Sequence, residues 1–175
     1  MGQRQSGNAK SPHVLLMGLD SAGKSTLLYR LQHGVIAGTS PTVGFNAGSV
    51  AVDKKNSLTV WDIGGQQQLR AYWSFYLDGC KALVFVVDSS DQNRMGEASK
   101  ALKKILTDVR MMDIPLMVLA NKMDLPNSMT IREVSTQLCL ERYTGHSWEI
   151  QACSALSGMG LQEAFLSVAK LIKHS

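Results

Sequence analysis

Residues 18–25 read GLDSAGKS, which fits the spacing G-x-x-x-x-G-K-[ST]. Chemistry at this spacing is the grip on a nucleotide's phosphate tail. Backbone N–H groups must converge on phosphate oxygens, so side chains must not stand in their way. Gly18 and Gly23 permit unusual backbone angles, and Leu19, Asp20, Ser21 and Ala22 complete the cradle between them. Lys24 offers a point charge for the β and γ phosphates. Ser25 offers a hydroxyl to Mg²⁺, and Thr26 extends the binding stretch into the following helix. A glycine turn before a helix would explain the string alone, but the motif's context is an apolar run before it and a helical pattern after it, and both are present.

Three further stretches complete a site. WDIGGQ ends the run LTVW. Asp62, at the carboxyl end of a strand, suits a Mg²⁺ shell through water. Gly65 can offer its N–H to a γ-phosphate, and Gln66 can orient an attacking water without being a strong base. SPTVGFN places Thr42 where its hydroxyl reaches the metal only while a γ-phosphate holds the loop, the logic of an order–disorder switch. NKMD follows the run IPLMVLA. A carboxylate pairs with guanine's N1–H and 2-amino group, which adenine lacks, so Asp124 would select GTP over ATP. Asn121 and the stem of Lys122 would shape the base pocket. In ACSAL, the Ala155 N–H would face the guanine carbonyl, and Ser154 would hold the loop.

These residues need a scaffold that brings strand ends together. HVLLMG reads as a buried strand, and KSTLLYRLQ as a helix carrying Leu27, Leu28 and Leu31 on one side. Residues 33–47 read as a loop rich in Gly, Ser, Thr and Pro. SVAVDKKNSLTVWD reads as two strands around a polar turn, and QQQLRAYWSFYL as an irregular helix. KALVFVVD and IPLMVLANK are apolar runs of the kind buried on both faces of a parallel sheet. RMGEASKALKKILTDV, TIREVSTQLCLERY and GLQEAFLSVAKLIKHS read as helices, and SWEIQACSA as a strand. The alternation predicts an α/β, P-loop fold: six strands, mostly parallel, one antiparallel edge strand, and helices on both faces. Ligands of such sheets lie beyond the carboxyl ends of the strands, where the motifs fall. The expected organisation is a flexible leader at 1–12 and one domain at 13–175.

The chain has 175 residues, 45% of them apolar, enough for one core. Its net charge of +4 is scattered, so no nucleic-acid partner is expected. Cys80, Cys139 and Cys153 are too few and too widely spaced for a disulfide framework or a metal pair. They read as reduced thiols in a cytoplasmic protein. Met17, Met111, Met112, Met117 and Met159 read as filler of core and surface.

In their order, GLDSAGK, PTVGFN, WDIGGQ, NKMD and CSALSGMGL resemble the small GTPases of the ADP-ribosylation-factor-like (Arf-like) family, over residues 13–173. The LLYRL and CSALSG stretches are most similar to the type 11 and type 14 members. The resemblance implies a GDP/GTP switch acting in membrane or vesicle traffic, with an exchange factor, a GTPase-activating protein and GTP-dependent effectors as partners. It implies that Phe45, Trp61 and Tyr76 face effectors, and that the hairpin SVAVDKKNSLTVW changes register between nucleotide states. A monomer is expected.

MGQRQS fits the N-myristoylation pattern at Gly2. The leader lacks Leu, Ile, Phe and Trp, unlike the amphipathic helix of better-known relatives. One myristoyl chain binds a bilayer with K of about 10⁴ M⁻¹, so reversible contact with the cytosolic face of intracellular membranes is expected. No arginine lies between His33 and Thr42 to act in cis. Hydrolysis, with Lys24 and Gln66 as the catalytic pair, should therefore be slow until a partner supplies an arginine, worth about 10³ to 10⁵ in rate. Two rivals are a GTP-binding interaction module with negligible turnover and a P-loop phosphotransferase acting on a metabolite. The second would need an acceptor pocket and a lid that the sequence does not suggest.

Overall fold

A computed structural model describes residues 11–33 and 45–175. Gly2 and Thr42 lie outside these residues, and Phe45 is described by its backbone alone.

Six strands form one sheet: β1 His13–Gly18, β2 Phe45–Ala51, β3 Ser57–Ile63, β4 Ala82–Asp88, β5 Leu116–Asn121 and β6 Trp148–Ala152. Their spatial order is β2-β3-β1-β4-β5-β6. Only β2 runs antiparallel, against β3 at the edge. The other neighbours are parallel. Leu16 aligns with Asp62 and Gly18 with Val86, while Asp88 aligns with Asn121 and Ala120 with Ala152. The carboxyl ends of five strands thus meet at one rim of the sheet.

Side chains alternate across the pleat, and two cores follow. Leu15, Met17, Leu83, Phe85, Val87, Leu116 and Val118 pack on one face with Met95, Ala98 and Leu102 of α2 (Met95–Leu106) and Val134 of α3 (Ile131–Gln137). Val14, Leu16, Val84, Val86, Met117 and Leu119 pack on the other with Leu27 and Leu28 of α1 (Lys24–His33) and Phe165 and Val168 of α4 (Leu161–Lys173). Each large side chain buried this way, Phe85 or Phe165 for example, contributes about 1.5–3 kcal/mol. The methionines divide: Met17, Met111 and Met117 are buried, and Met112 and Met159 are exposed.

The elements differ from expectation in two places. The second strand begins at Phe45, inside the stretch read as a loop, because FNA pairs with Ile63, Asp62 and Trp61. The TIREVSTQLCLERY helix stops at Gln137: Cys139 turns left-handed, with φ 57°, and a short 3₁₀ turn Leu140–Arg142 follows. Its start is well defined, for Thr130 and Glu133 form a reciprocal capping box. The QQQLRAYWSFYL segment is helical but irregular, as expected: it is a 3₁₀ helix, Gln67–Tyr76. Of the leader, Pro12 accepts from the Thr59 N–H at 2.9 Å, and the Ser11 hydroxyl lies 2.8 Å from that of Ser57.

Candidate functional site

The phosphate loop begins where β1 ends. Gly23 has φ +98°, and a Cβ there would strike the Asn121 amide, so only glycine fits between the phosphate loop and the base-side loop. Ser21 also lies left-handed. The turn leaves Lys24 at the start of α1, 6% exposed, with Nζ donating to the carbonyls of Gly18 and Leu19 at 3.2 Å each. Burial lowers its pKa below the usual lysine value. The ammonium is held inside the curl of the loop, where a desolvated positive charge grips an anion most strongly.

Ser25, one residue on, donates from Oγ to Asp62 Oδ2 at 2.6 Å, and Asp62 is fully buried. The pairing of β1 and β3 sets this meeting, since Leu16 lies opposite Asp62. A hydroxyl and a carboxylate within hydrogen-bond reach of each other are hard oxygen donors. They fit Mg²⁺, which takes one or two protein oxygens and completes its shell with water and phosphate. Among the described residues no group of three His, Cys, Asp or Glu side chains could hold a metal by itself.

The base side forms at the ends of β5 and β6. Asn121 is 1% exposed; its Nδ2 donates to the Ala22 carbonyl at 2.8 Å, and its Oδ1 accepts from the Ala155 N–H at 3.0 Å. That N–H, expected to face the guanine carbonyl, therefore serves Asn121 here. Lys122 Nζ donates to the Ser21 carbonyl at 2.8 Å and pairs with Asp88 at 2.9 Å. Asp124 accepts from Ser154 Oγ at 2.8 Å. A cavity of about 230 Å³ opens between Gly23, Thr26, Asn121, Lys122, Asp124 and Leu156. It is floored by the edge of the phosphate loop and walled by a carboxylate and a lysine stem, a shape suited to a flat heterocycle bearing N–H donors.

Gly65 and Gln66 follow β3, beside the phosphate loop. The Gly65 carbonyl accepts from the Asp20 N–H at 3.1 Å and from Arg70 Nε at 2.9 Å, while the Gly64 carbonyl accepts from Trp73 Nε1 at 2.9 Å. Gln66 is extended and precedes the 3₁₀ helix. Arg70 goes on to Glu97 at 2.6 Å and Asp20 at 3.2 Å; Arg94 reaches the same Asp20 at 2.7 Å and Glu97 at 3.2 Å. The hydrogen bond from Arg94 holds the Asp20 carboxyl below its usual pKa, and Arg94 and Arg70 do the same for Glu97. Sequence reasoning missed Arg70, Arg94 and Glu97. The one available signal was that Asp20, a carboxylate inside a phosphate cradle, needs a counter-charge.

The expected effector aromatics lie behind this loop. Trp61 and Tyr76 are 6.4 Å apart between ring centroids and are half-buried against the core. More prominent are Tyr72 and Phe75, which sequence reasoning passed over: they are 56% and 74% exposed, and their rings stack at 6.0 Å. They border a cleft with Ile63, Gly64, Leu69 and Tyr76.

A mostly parallel sheet with this loop at its first strand end is the P-loop GTPase class. The chain matches the ADP-ribosylation factor family over residues 1–172, and it belongs to that family of small GTP-binding switches. Among solved structures it is similar to the Arl6 (BBS3) small GTPase of Trypanosoma brucei, solved with a bound nucleotide analogue, GppNp. The TM-score is 0.86 at 28% identity, over 94% of this chain and 99% of that one.

Proposed function

We propose that this protein is an Arf-like switch, most like the type 11 and type 14 members, that cycles between GDP and GTP and is slow to hydrolyse GTP alone. The observation that carries the reading is the bond from Asn121 Nδ2 to the Ala22 carbonyl, which joins a base-selecting loop to a phosphate loop as one pocket. In this reading Asp124 and Asn121 take the guanine, and Gly18 to Gly23 wrap the phosphates with backbone N–H groups. Lys24 leaves the Gly18 and Leu19 carbonyls for the β and γ phosphates. Ser25, Thr42 and, through water, Asp62 would hold Mg²⁺, whose charge would offset that developing on the phosphates. Gln66 directs a water in line with the γ-phosphate, and the Gly65 N–H marks whether that phosphate is present.

An exchange factor loads GTP, an activating protein ends the signal, and effectors read Phe45, Trp61 and Tyr76, with Tyr72 and Phe75 beside them. Residues 1–12 act as a lipid-bearing arm on the domain that follows, myristoylated at Gly2 and bringing a cytoplasmic monomer reversibly to the cytosolic face of vesicles or other membranes. Among the described residues no helix is long and apolar enough to cross a bilayer. Calorimetry with GDP and ADP in the presence of Mg²⁺ tests the pocket: equal affinities would end the reading. Fractionation of Gly2→Ala tests the arm, and unchanged membrane association would remove the lipid.

A further inference from the structure

The loop that follows β6 carries Ser154 and Ala155, and part of its bonding is internal. The Ser154 N–H donates to the Met159 carbonyl, the Gly158 N–H to the Ser154 carbonyl, and the Ser157 N–H to Ser154 Oγ. Two of its carbonyls, on Leu156 and Ser157, point toward α1. There Arg30 meets both, with Nη1 2.9 Å from the Leu156 oxygen and Nη2 2.8 Å from the Ser157 oxygen. The planar guanidinium suits this forked contact, and a lysine could make only one such bond at a time. Gly158 makes the room: at φ +87° it carries no Cβ, and one there would lie 2.9 Å from Nη2.

Arg30 sits in the helix that begins with Lys24 and Ser25. The loop it grips places Leu156 and Ala155 on the base cavity and steadies Asp124 through Ser154. The phosphate end and the base end are thus fastened by a further tie, in addition to the Asn121–Ala22 and Lys122–Ser21 bonds. A nucleotide leaving this pocket must part the base from the 154–158 loop, and a loop anchored to α1 yields less readily than one held by its own turns.

We infer that Arg30 is a positioning residue that sets how long the nucleotide stays, by clamping the base-side loop to α1. This rests on the guanine-nucleotide reading above. The test is release of fluorescently labelled GDP, and of a labelled non-hydrolysable GTP analogue, from full-length Arg30→Met and Arg30→Lys proteins. Losing two hydrogen bonds to a charged group should speed release from Arg30→Met about tenfold or more, equally for the two nucleotides because the clamp acts on the base end. Arg30→Lys should fall between it and the wild type, with the melting temperature of both nucleotide-loaded variants close to the wild-type value.

Unchanged release in Arg30→Met overturns the inference, as does faster release of only one nucleotide, which would place the defect at the γ-phosphate. Should Arg30→Met fail to fold, Arg30→Lys decides alone: wild-type release from it overturns the clamp. A wild-type protein that holds no guanine nucleotide would be a different failure, that of the function itself.

Discussion

Arg70 Nε donates to the carbonyl of Gly65, at 2.9 Å, and that carbonyl belongs to the peptide bond leading into Gln66. The same oxygen takes the Asp20 N–H, and the other arm of Arg70 is held by Glu97 and Asp20. The residue expected to direct water is therefore positioned by an arginine four places further on, itself anchored to both the phosphate loop and α2. A hydrogen bond to a charged group is worth about 1.5–3 kcal/mol. Arg70→Ala should slow single-turnover phosphate release, measured with an activating protein present, by about tenfold or more while GDP affinity stays near wild type. Normal release would show that Gln66 finds its place without this anchor.

His13 opens β1 beside Trp61, with ring centroids 4.7 Å apart, and its Nε2 is buried with no hydrogen-bond partner among the described residues. Burial lowers its pKa from the ordinary histidine value. A group whose folded pKa lies below its unfolded one stabilises the protein above the unfolded pKa, near 6.5, and that stabilisation is lost as pH falls through the folded value. Melting temperature should therefore drop as pH is taken from 7.5 to 5.5. His13→Phe, which keeps a ring against Trp61 but cannot be protonated, should flatten that slope. An equal slope in the variant would assign the pH dependence to other groups.

Cys80 and Cys153 are buried, and burial pushes their thiols up to about 11 and about 12. The thiolate is the reactive form, so both thiols stay in the unreactive protonated form near neutral pH. Cys139 is partly exposed. A maleimide titration of the nucleotide-loaded protein should label one thiol quickly and the other two only on unfolding. Cys153 Sγ lies 3.6 Å from Asn121 Oδ1. Its labelling should therefore speed up when nucleotide and metal are stripped, if the base side opens, and rapid labelling of three thiols in the loaded protein would contradict this burial.

The strands and the loops that carry the motifs were legible because near-continuous apolar runs, such as ALVFVVD, ended at Gly, Asp or Asn. Local signals failed where tertiary contact decides the outcome. Phe45, Asn46 and Ala47 carry no strand pattern, and pairing with β3 alone makes them extended. Cys139 ends a helix whose apolar period continues past it, because its backbone turns left-handed. Ser25 and Asp62 could both be singled out because they sit in motifs at strand ends, while the direct bond between them is set by the pairing of β1 with β3. Arg30 and Arg70 did not, for an arginine on a helix face resembles a solvated one until the carbonyl it grips is known, and those carbonyls are 126 and 5 residues away in the chain.

In the proposed function Asp124 selects the base, and its geometry makes the strongest test of the whole pocket. One carboxylate oxygen accepts from Ser154 Oγ at 2.8 Å, which fixes the carboxylate's orientation and leaves acceptor capacity for two N–H donors of a guanine edge. In Asp124→Asn an amide N–H₂ would face those donors, so a charged pair of bonds is replaced by a repulsive contact. GDP affinity should fall at least about 100-fold, the equivalent of about 3 kcal/mol. Xanthosine diphosphate, which carries a carbonyl in place of the 2-amino group, should gain on GDP because the new amide can donate to it. Ser154→Ala keeps the carboxylate but frees it to turn, and should cost only about fivefold to tenfold, near 1 kcal/mol. Competition between GDP, xanthosine diphosphate and ADP on the wild type and both variants checks the whole series. An Asp124→Asn protein that still prefers GDP would mean that the cavity beside Asn121 and Leu156 is not where the base is read.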